Sequence, residues 1–280
     1  MNTVTVISKE KGDAMSQQDI QQLHKKAEEL ERLLRLQSFP VGVKLLKGVD
    51  EMPEGAQRPM KDMGYHLSLC QAIALARRNG MTVCETKEDM WCFEPVLALG
   101  FEKPPQRFLD GYNRYPFNSS SLEAGAEWAR NFPMIEHGQY SAIVIAPLGK
   151  INFQPDIFLL YGEPYKMRMI LTAKLWLDGK DITPTVSPNA ACCYSVVPTV
   201  KDRVWQIAFP CYGDTSRAAC NFSEMIFSAP IEILDDLLRG LRASEERGHG
   251  MPQRVDMLSE YPAPESYVEI GKLIGMDWVK

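Results

Sequence analysis

The chain has 280 residues, 45% of them hydrophobic and 24% charged, with a formal net charge of -5, values of an ordinary globular protein with one large or two smaller domains. An acidic balance argues against a general phosphate-backbone binder, so nucleic acid is not an expected partner. No stretch approaches the roughly 18 uninterrupted apolar residues of a membrane span, and the opening "MNTVTVISKEKGDAMSQQDIQQ" lacks the apolar core of a secretory signal, which points to a cytoplasmic protein without a membrane partner.

In chain order, residues 1 to 14 read as a flexible tail. Residues 17 to 36, "QQDIQQLHKKAEELERLLRL", gather Ile20, Leu23, Ala27, Leu30, Leu33 and Leu34 on one face among charges, the pattern of an amphipathic helix. "FPVGVKLL" reads as a strand entered through a proline, and "EMPEGAQRPMKDMG" as loop. "LSLCQAIALARR" (67 to 78) predicts a helix stopped at Asn79-Gly80. A short strand "MTVCE" comes next, then a helical turn in "TKEDMWC" capped by Thr86 with Asp89 three residues on. "SLEAGAEWARNF" (121 to 132) is a helix with Ser121 as its cap. "SAIVIAPL" (141 to 148) and "DIFLLYGE" (156 to 163) are nearly continuous apolar runs, as strands buried on both faces are.

"YKMRMILTAKLWLDG" predicts a helix closed by glycine, and "NAACCYSVVPTV" (189 to 200) either a short helix or a buried strand. "RVWQIAFP" is a strand with Cys211 just past its end, "SEMIFSAP" another strand, and "IEILDDLLRGLRASEERG" a long amphipathic helix. Interleaved helices and strands predict an α/β or α+β fold, a mixed sheet layered with amphipathic helices in a single main domain from 15 to 248. Residues 249 to 280 read as a proline-bearing connector to one last helix, "SYVEIGKLIGM".

Phosphate-loop, dinucleotide-binding, zinc-protease and nucleophile-elbow motifs are all missing, and with four histidines a histidine-rich metal site is not expected. The cysteines carry the chemistry. Seven of them, an odd number in a chain read as cytoplasmic, point to thiols or metal ligands rather than disulfides. A cysteine is commonly a small core hydrophobe; Cys84 and Cys220 read so, as does one of the adjacent pair Cys192 and Cys193, whose side chains diverge. Cys70 on a helix, Cys92 at a turn, Cys193 (with Cys192 as its alternative) and Cys211 at a strand end sit instead where a scaffold presents chemistry. For Cys211 the pattern "PCYGD" predicts backbone N–H groups turned towards the sulfur, with Gly213 supplying a positive φ and Asp214 capping the next element.

"FPVGVKLL", "LCQAIALAR", "CFEPVLALGF", "YSAIVIAPLGKINFQPDIFLLYGEP", "CCYSVVPT" and "CYGDTSRAACNFSEMIFSAPIEIL" together resemble the domain-of-unknown-function family numbered 169, a group of bacterial and archaeal cytoplasmic proteins. The resemblance covers about residues 17 to 243 and implies recurring cysteines at Cys70, Cys92, Cys192 or Cys193, and Cys211. Many relatives carry Pro-Gly-Gly where this chain has Phe93-Glu94-Pro95, and often a further cysteine near Asp214. The family name itself implies no reaction.

Four thiolates from four elements suit a [4Fe-4S] cluster, with zinc as the alternative, because soft thiolates favour both and no C-x-x-C knuckle marks structural zinc. The expectation is an iron-sulfur enzyme, an oxidoreductase or lyase, acting on a small aromatic or carboxylate substrate; the alternative is a metal-free binding or regulatory module. Trp91, Tyr194 and Tyr212 lie near the candidate ligands in sequence, and Arg217, like Arg77, Arg114 and Arg203, offers a fork for a carboxylate, which makes Trp91, Tyr194, Tyr212 and Arg217 the expected substrate contacts. Ile231, Leu234, Leu238 and Leu241, widened by Ile233 and Leu237, form an apolar stripe that predicts a homodimer.

Overall fold

Ser16 opens the first helix, α1 (Gln17–Leu34), its hydroxyl accepting the Asp19 N–H at 3.2 Å, and Arg35 closes it in the left-handed conformation. Leu23, Ala27, Leu30, Leu33 and Leu34 are the buried residues of this helix. Each such leucine contributes about 1.5–3 kcal/mol when fully buried. The computed structural model describes residues 15–251 and 263–276. The predicted tail of residues 1 to 14 and most of the predicted connector lie outside the described residues.

Strand β1 (Val41–Leu46) comes next, then α2 (Leu69–Asn79), β2 (Val83–Thr86), α3 (Phe93–Ala98), α4 (Gln106–Leu109) and α5 (Leu122–Asn131). The chain continues through β3 (Ala142–Pro147), β4 (Ile157–Gly162), α6 (Pro164–Asp178), α7 (Ala191–Asp202), β5 (Gln206–Ala208), α8 (Tyr212–Arg217), β6 (Met225–Pro230), α9 (Leu234–Glu246) and α10 (Glu265–Leu273). The strands form one six-stranded sheet in the order β2-β3-β1-β4-β6-β5. All five strand pairings are antiparallel, so of the two expected fold classes the molecule is α+β. The expected mixed sheet is thereby corrected: among the described residues parallel pairing is limited to isolated bridges such as Gln57 with Val83.

Continuous apolar runs in β3 and β4 have their cause in two covered faces. On one face Ile143, Ile145, Ile157 and Leu159 join Ile73, Leu99, Phe132 and Val196 in the largest core. On the other, Phe158, Leu160 and Phe227 pack against α1, α6 and α9 through Leu30, Ile170 and Leu237. The stripe behind the dimer expectation belongs to this second core, with Leu234, Leu237, Leu238 and Leu241 buried within the chain and Ile231 and Ile233 packed against them.

The ambiguous stretch 189–200 is helical. Pro198 lies inside α7 and lacks the N–H that would bond the Tyr194 carbonyl. Buried Gln206 supplies a donor to that carbonyl at 3.4 Å, which ties α7 to β5. Where the sequence predicts a strand over 203–210, only Gln206–Ala208 pairs, because Pro210 and the start of α8 end the ladder early. No helix among the described residues is long and apolar enough to cross a membrane.

Candidate functional site

Four segments that start helices place their cysteines on one cavity. Ser68 caps α2, with the Gln71 side chain accepting the Ser68 N–H at 3.0 Å, so Cys70 occupies the second helical position. Cys92 is the cap of α3, Cys192 the second residue of α7, and Cys211 the cap of α8. Cys70, Cys92, Cys192 and Cys211, with Gly213, line a cavity of about 450 Å³. Cys193, the preferred member of the pair in the sequence reading, is fully buried in the core and is not among the lining residues; Cys192, its alternative, is. Cys84 packs with Leu46, Ala142 and Val144 on the far side of the sheet, and Cys220 lies in the large core.

Hydrogen bonds hold the sulfurs in place. The Ser68 hydroxyl lies 3.0 Å from Cys70 Sγ. Asp214 and Cys211 form a reciprocal cap: the Asp214 N–H meets the Cys211 sulfur while Asp214 Oδ2 accepts the Cys211 N–H at 3.0 Å. The Ala191 N–H, at the start of α7, also favours the Cys211 thiolate. Gly213 differs from its expected role. It has no positive φ and sits inside α8, where a Cβ would stand 3.6 Å from Cys211 Sγ and 3.7 Å from Cys70 Sγ. The glycine therefore leaves room beside two sulfurs rather than permitting a left-handed turn.

Burial and neighbouring groups raise the pKa values of the cavity thiols, which favours their protonated form. Cys70 is pushed far up, first by the Cys192 thiol and then by burial. Cys192 is also raised, chiefly by Cys193, with burial adding and Cys70 opposing. Burial, with the Glu94 charge second, pushes Cys92 to about 12, and burial followed by Asp214 does the same to Cys211. Burial raises Cys193 to about 11. A bound cation would reverse this balance, since metal ligation requires thiolates and releases their protons.

The polar wall is built from buried pairs. Arg114 Nη2 donates to Glu94 Oε1 at 2.7 Å, and the guanidinium sits 3.5 Å over the Trp128 ring. Both Glu94 and Arg114 line the cavity. Behind it, Tyr161 reaches Asp214 at 3.5 Å, Arg77 covers the Tyr161 ring at 4.0 Å, and Arg77 pairs with Glu224 at 3.0 Å. This buried layer escaped the sequence reading: Arg77 and Glu224 are distant in sequence and only the fold joins them.

Of the expected substrate contacts, Trp91 and Tyr212 line the cavity and are largely exposed. Tyr194 is buried, its ring 6.1 Å from Phe132 in an edge-on contact, and Arg217 is exposed on α8 outside the lining. The remaining arginines weighed for a carboxylate are occupied, Arg77 by Glu224, Arg114 by Glu94 and Arg203 by Glu232.

Among the described residues no group of three or more His, Cys, Asp and Glu side chains is gathered as one metal ion requires. A cubane binds each thiolate to a different iron and spreads its ligands more widely than a single zinc ion does. Four soft sulfurs opening on one cavity at the starts of four helices are a donor set of the kind a cluster takes. α2 and α7 are also long enough for their N-terminal ends to favour an anionic group.

A family model described as DUF169, "Uncharacterised ArCR", matches residues 29–240, inside the range of the resemblance read from the sequence. An uncharacterized protein of Methanocaldococcus jannaschii is 26% identical over 226 residues, which cover 80% of this chain and 95% of that protein. No solved structure matches the chain.

Proposed function

The chain belongs to the DUF169 family, and from that premise we propose that Cys70, Cys92, Cys192 and Cys211 hold a [4Fe-4S] cluster in an enzyme of redox or lyase type that acts on a small substrate. One observation carries the reading: four cysteines from four separate segments line the same cavity, while Cys84 and Cys220 do not. In such a protein the cluster supplies electron transfer or a Lewis-acidic iron. The chain's own contribution is to hold four sulfurs, donate backbone N–H groups to Cys211 and line the cavity with the exposed rings of Trp91 and Tyr212.

Protein purified without oxygen from iron-replete cells is expected to be brown and to contain iron and sulfide in equal amounts. A colourless, iron-free product with zinc would favour the single-ion alternative. The second reading, a metal-free binding or regulatory module, draws support from the lack, among the described residues, of three ligands gathered around one point. It predicts that changing all four cysteines to alanine leaves melting temperature and ligand binding intact; the cluster reading predicts a large loss of both.

A further inference from the structure

A second cavity, of about 600 Å³, lies against the first. Trp91, Cys92, Phe93 and Asn113 line both, so Cys92 stands in the shared wall. The floor is apolar and nearly closed to solvent, made by Met90, Val96, Leu97 and Phe108, with Phe93 edge-on to Phe108 at 6.4 Å. Around it Trp91, Phe93 and Tyr112 remain 51%, 53% and 46% exposed, three aromatic side chains left half open among the described residues. Such a concave apolar surface with few polar groups has the character of a small-molecule site, and its volume falls in the ordinary range of about 300–1,000 Å³.

The rim decides the charge of the ligand. Lys87 and Glu102 pair with each other and neutralise one another. Arg107 has no carboxylate partner among the described residues; its guanidinium is oriented by stacking 4.4 Å over the Tyr112 ring. A guanidinium fixed against an aromatic ring at the edge of an apolar cavity matches a carboxylate in planar, bidentate fashion. Half-exposed rings at the wall favour a flat partner that stacks edge-on or offset.

We propose that this second cavity binds an aromatic carboxylate, its ring among Trp91, Phe93 and Phe108 and its carboxylate on Arg107. That places the ligand across Cys92 from the other three cavity sulfurs. The binding site stands on its own geometry; its connection to redox or lyase chemistry rests on the cluster reading above.

The probe is 2-naphthoate, with 2-naphthol as the same ring without the carboxylate, titrated by calorimetry into full-length protein of measured iron content. Naphthoate is expected to bind and naphthol to bind roughly tenfold more weakly or not at all, as a lost charge-assisted contact requires. Arg107→Ala, an exposed substitution that should not disturb folding, is expected to weaken naphthoate about tenfold and leave naphthol unchanged. Val96→Trp fills the floor and is expected to abolish both, read only on protein whose melting curve remains cooperative. The proposal is overturned if folded wild-type protein fails to bind naphthoate at about 1 mM, if naphthol binds equally well, or if Arg107→Ala has no effect. Naphthoate binding by an iron-free anaerobic product would keep this site and remove the cluster reading; iron without naphthoate binding would do the reverse.

Discussion

Replacing Glu85 by glutamine should turn an ionisation penalty into a measurable gain in stability that grows with pH. Glu85 sits on β2 with 0% exposure, and neither carboxylate oxygen meets a donor among the described residues. Burial, reinforced by the nearby Asp89 charge, raises its pKa from 4.5 to about 8. Because the folded value lies above the unfolded one, nothing is lost below about pH 4.5, where both states bind the proton. Stability then falls as pH rises, since the unfolded chain ionises while the folded one does not, and the loss levels off above about pH 8. At 1.36 kcal/mol per pH unit the full effect is about 5 kcal/mol, with about 3 kcal/mol already present at pH 7. Urea denaturation of parent and Glu85→Gln at about pH 5, 7 and 9 isolates this group, because the other titrations are common to both proteins. The variant is expected to match the parent or fall slightly below it at the lowest pH and to gain steadily as pH rises. A difference that stays constant across the range would refute the reasoning and mean that Glu85 finds a partner or water in solution.

Other substitutions probe the frame around the cavity. Gly213→Ala should fold with unchanged or slightly raised stability, by up to about 1 kcal/mol, because the residue is helical and its Cβ meets only ordinary contacts at 3.6 and 3.7 Å. Gly111→Ala should cost roughly 2–4 kcal/mol in thermal denaturation, since Gly111 has φ +90° and a Cβ there would lie 2.4 Å from the Leu122 carbonyl oxygen. Arg77→Ala should cost about 3 kcal/mol, the lower end of the range for a broken buried pair, because Arg78 also reaches Glu224 at 3.2 Å and remains. A loss under about 0.5 kcal/mol in that variant would show that the Arg77–Glu224 pair does not stabilise the fold. Cys192→Ser should lose bound iron while Cys193→Ser keeps it, read by metal analysis of anaerobic preparations; equal content in the two would place the ligand elsewhere.

Periodicity and end signals made most of the fold legible, because each reports a local cause. The stripe Leu23, Ala27, Leu30, Leu33 and Leu34 announces α1, Thr86 with Asp89 announces the turn before Met90, and Ser121 announces α5, whose Ala124 N–H it accepts at 3.2 Å. Pairing direction leaves no such mark: apolar runs in β3 and β4 reveal two covered faces but not whether neighbours run parallel or antiparallel. The wide stripe on α9 leaves its partner unmarked for a related reason, since a face that packs on α6 and α1 looks the same in sequence as one that packs on a second copy. Within the candidate site, cysteines at element ends are readable one by one, whereas Asp214, expected to cap the next element, sits inside α8 as its third residue with Cys211 as the cap. Their meeting in one cavity, the side of α7 that puts Cys192 rather than Cys193 on its wall, and the Arg77–Glu224 layer depend on contacts between distant segments.

Iron content compared among the parent, Cys211→Ser and Cys84→Ser, all produced and purified without oxygen, tests the proposed cluster most directly. Cys211 lines the cavity and Cys84 lies in a separate core beyond the sheet, so one substitution touches the proposed ligand set and the other only removes a thiol. The account predicts iron and sulfide in the parent and in Cys84→Ser, and loss of both in Cys211→Ser with its folded melting curve retained. Equal iron content in all three proteins, or none in any, would contradict it.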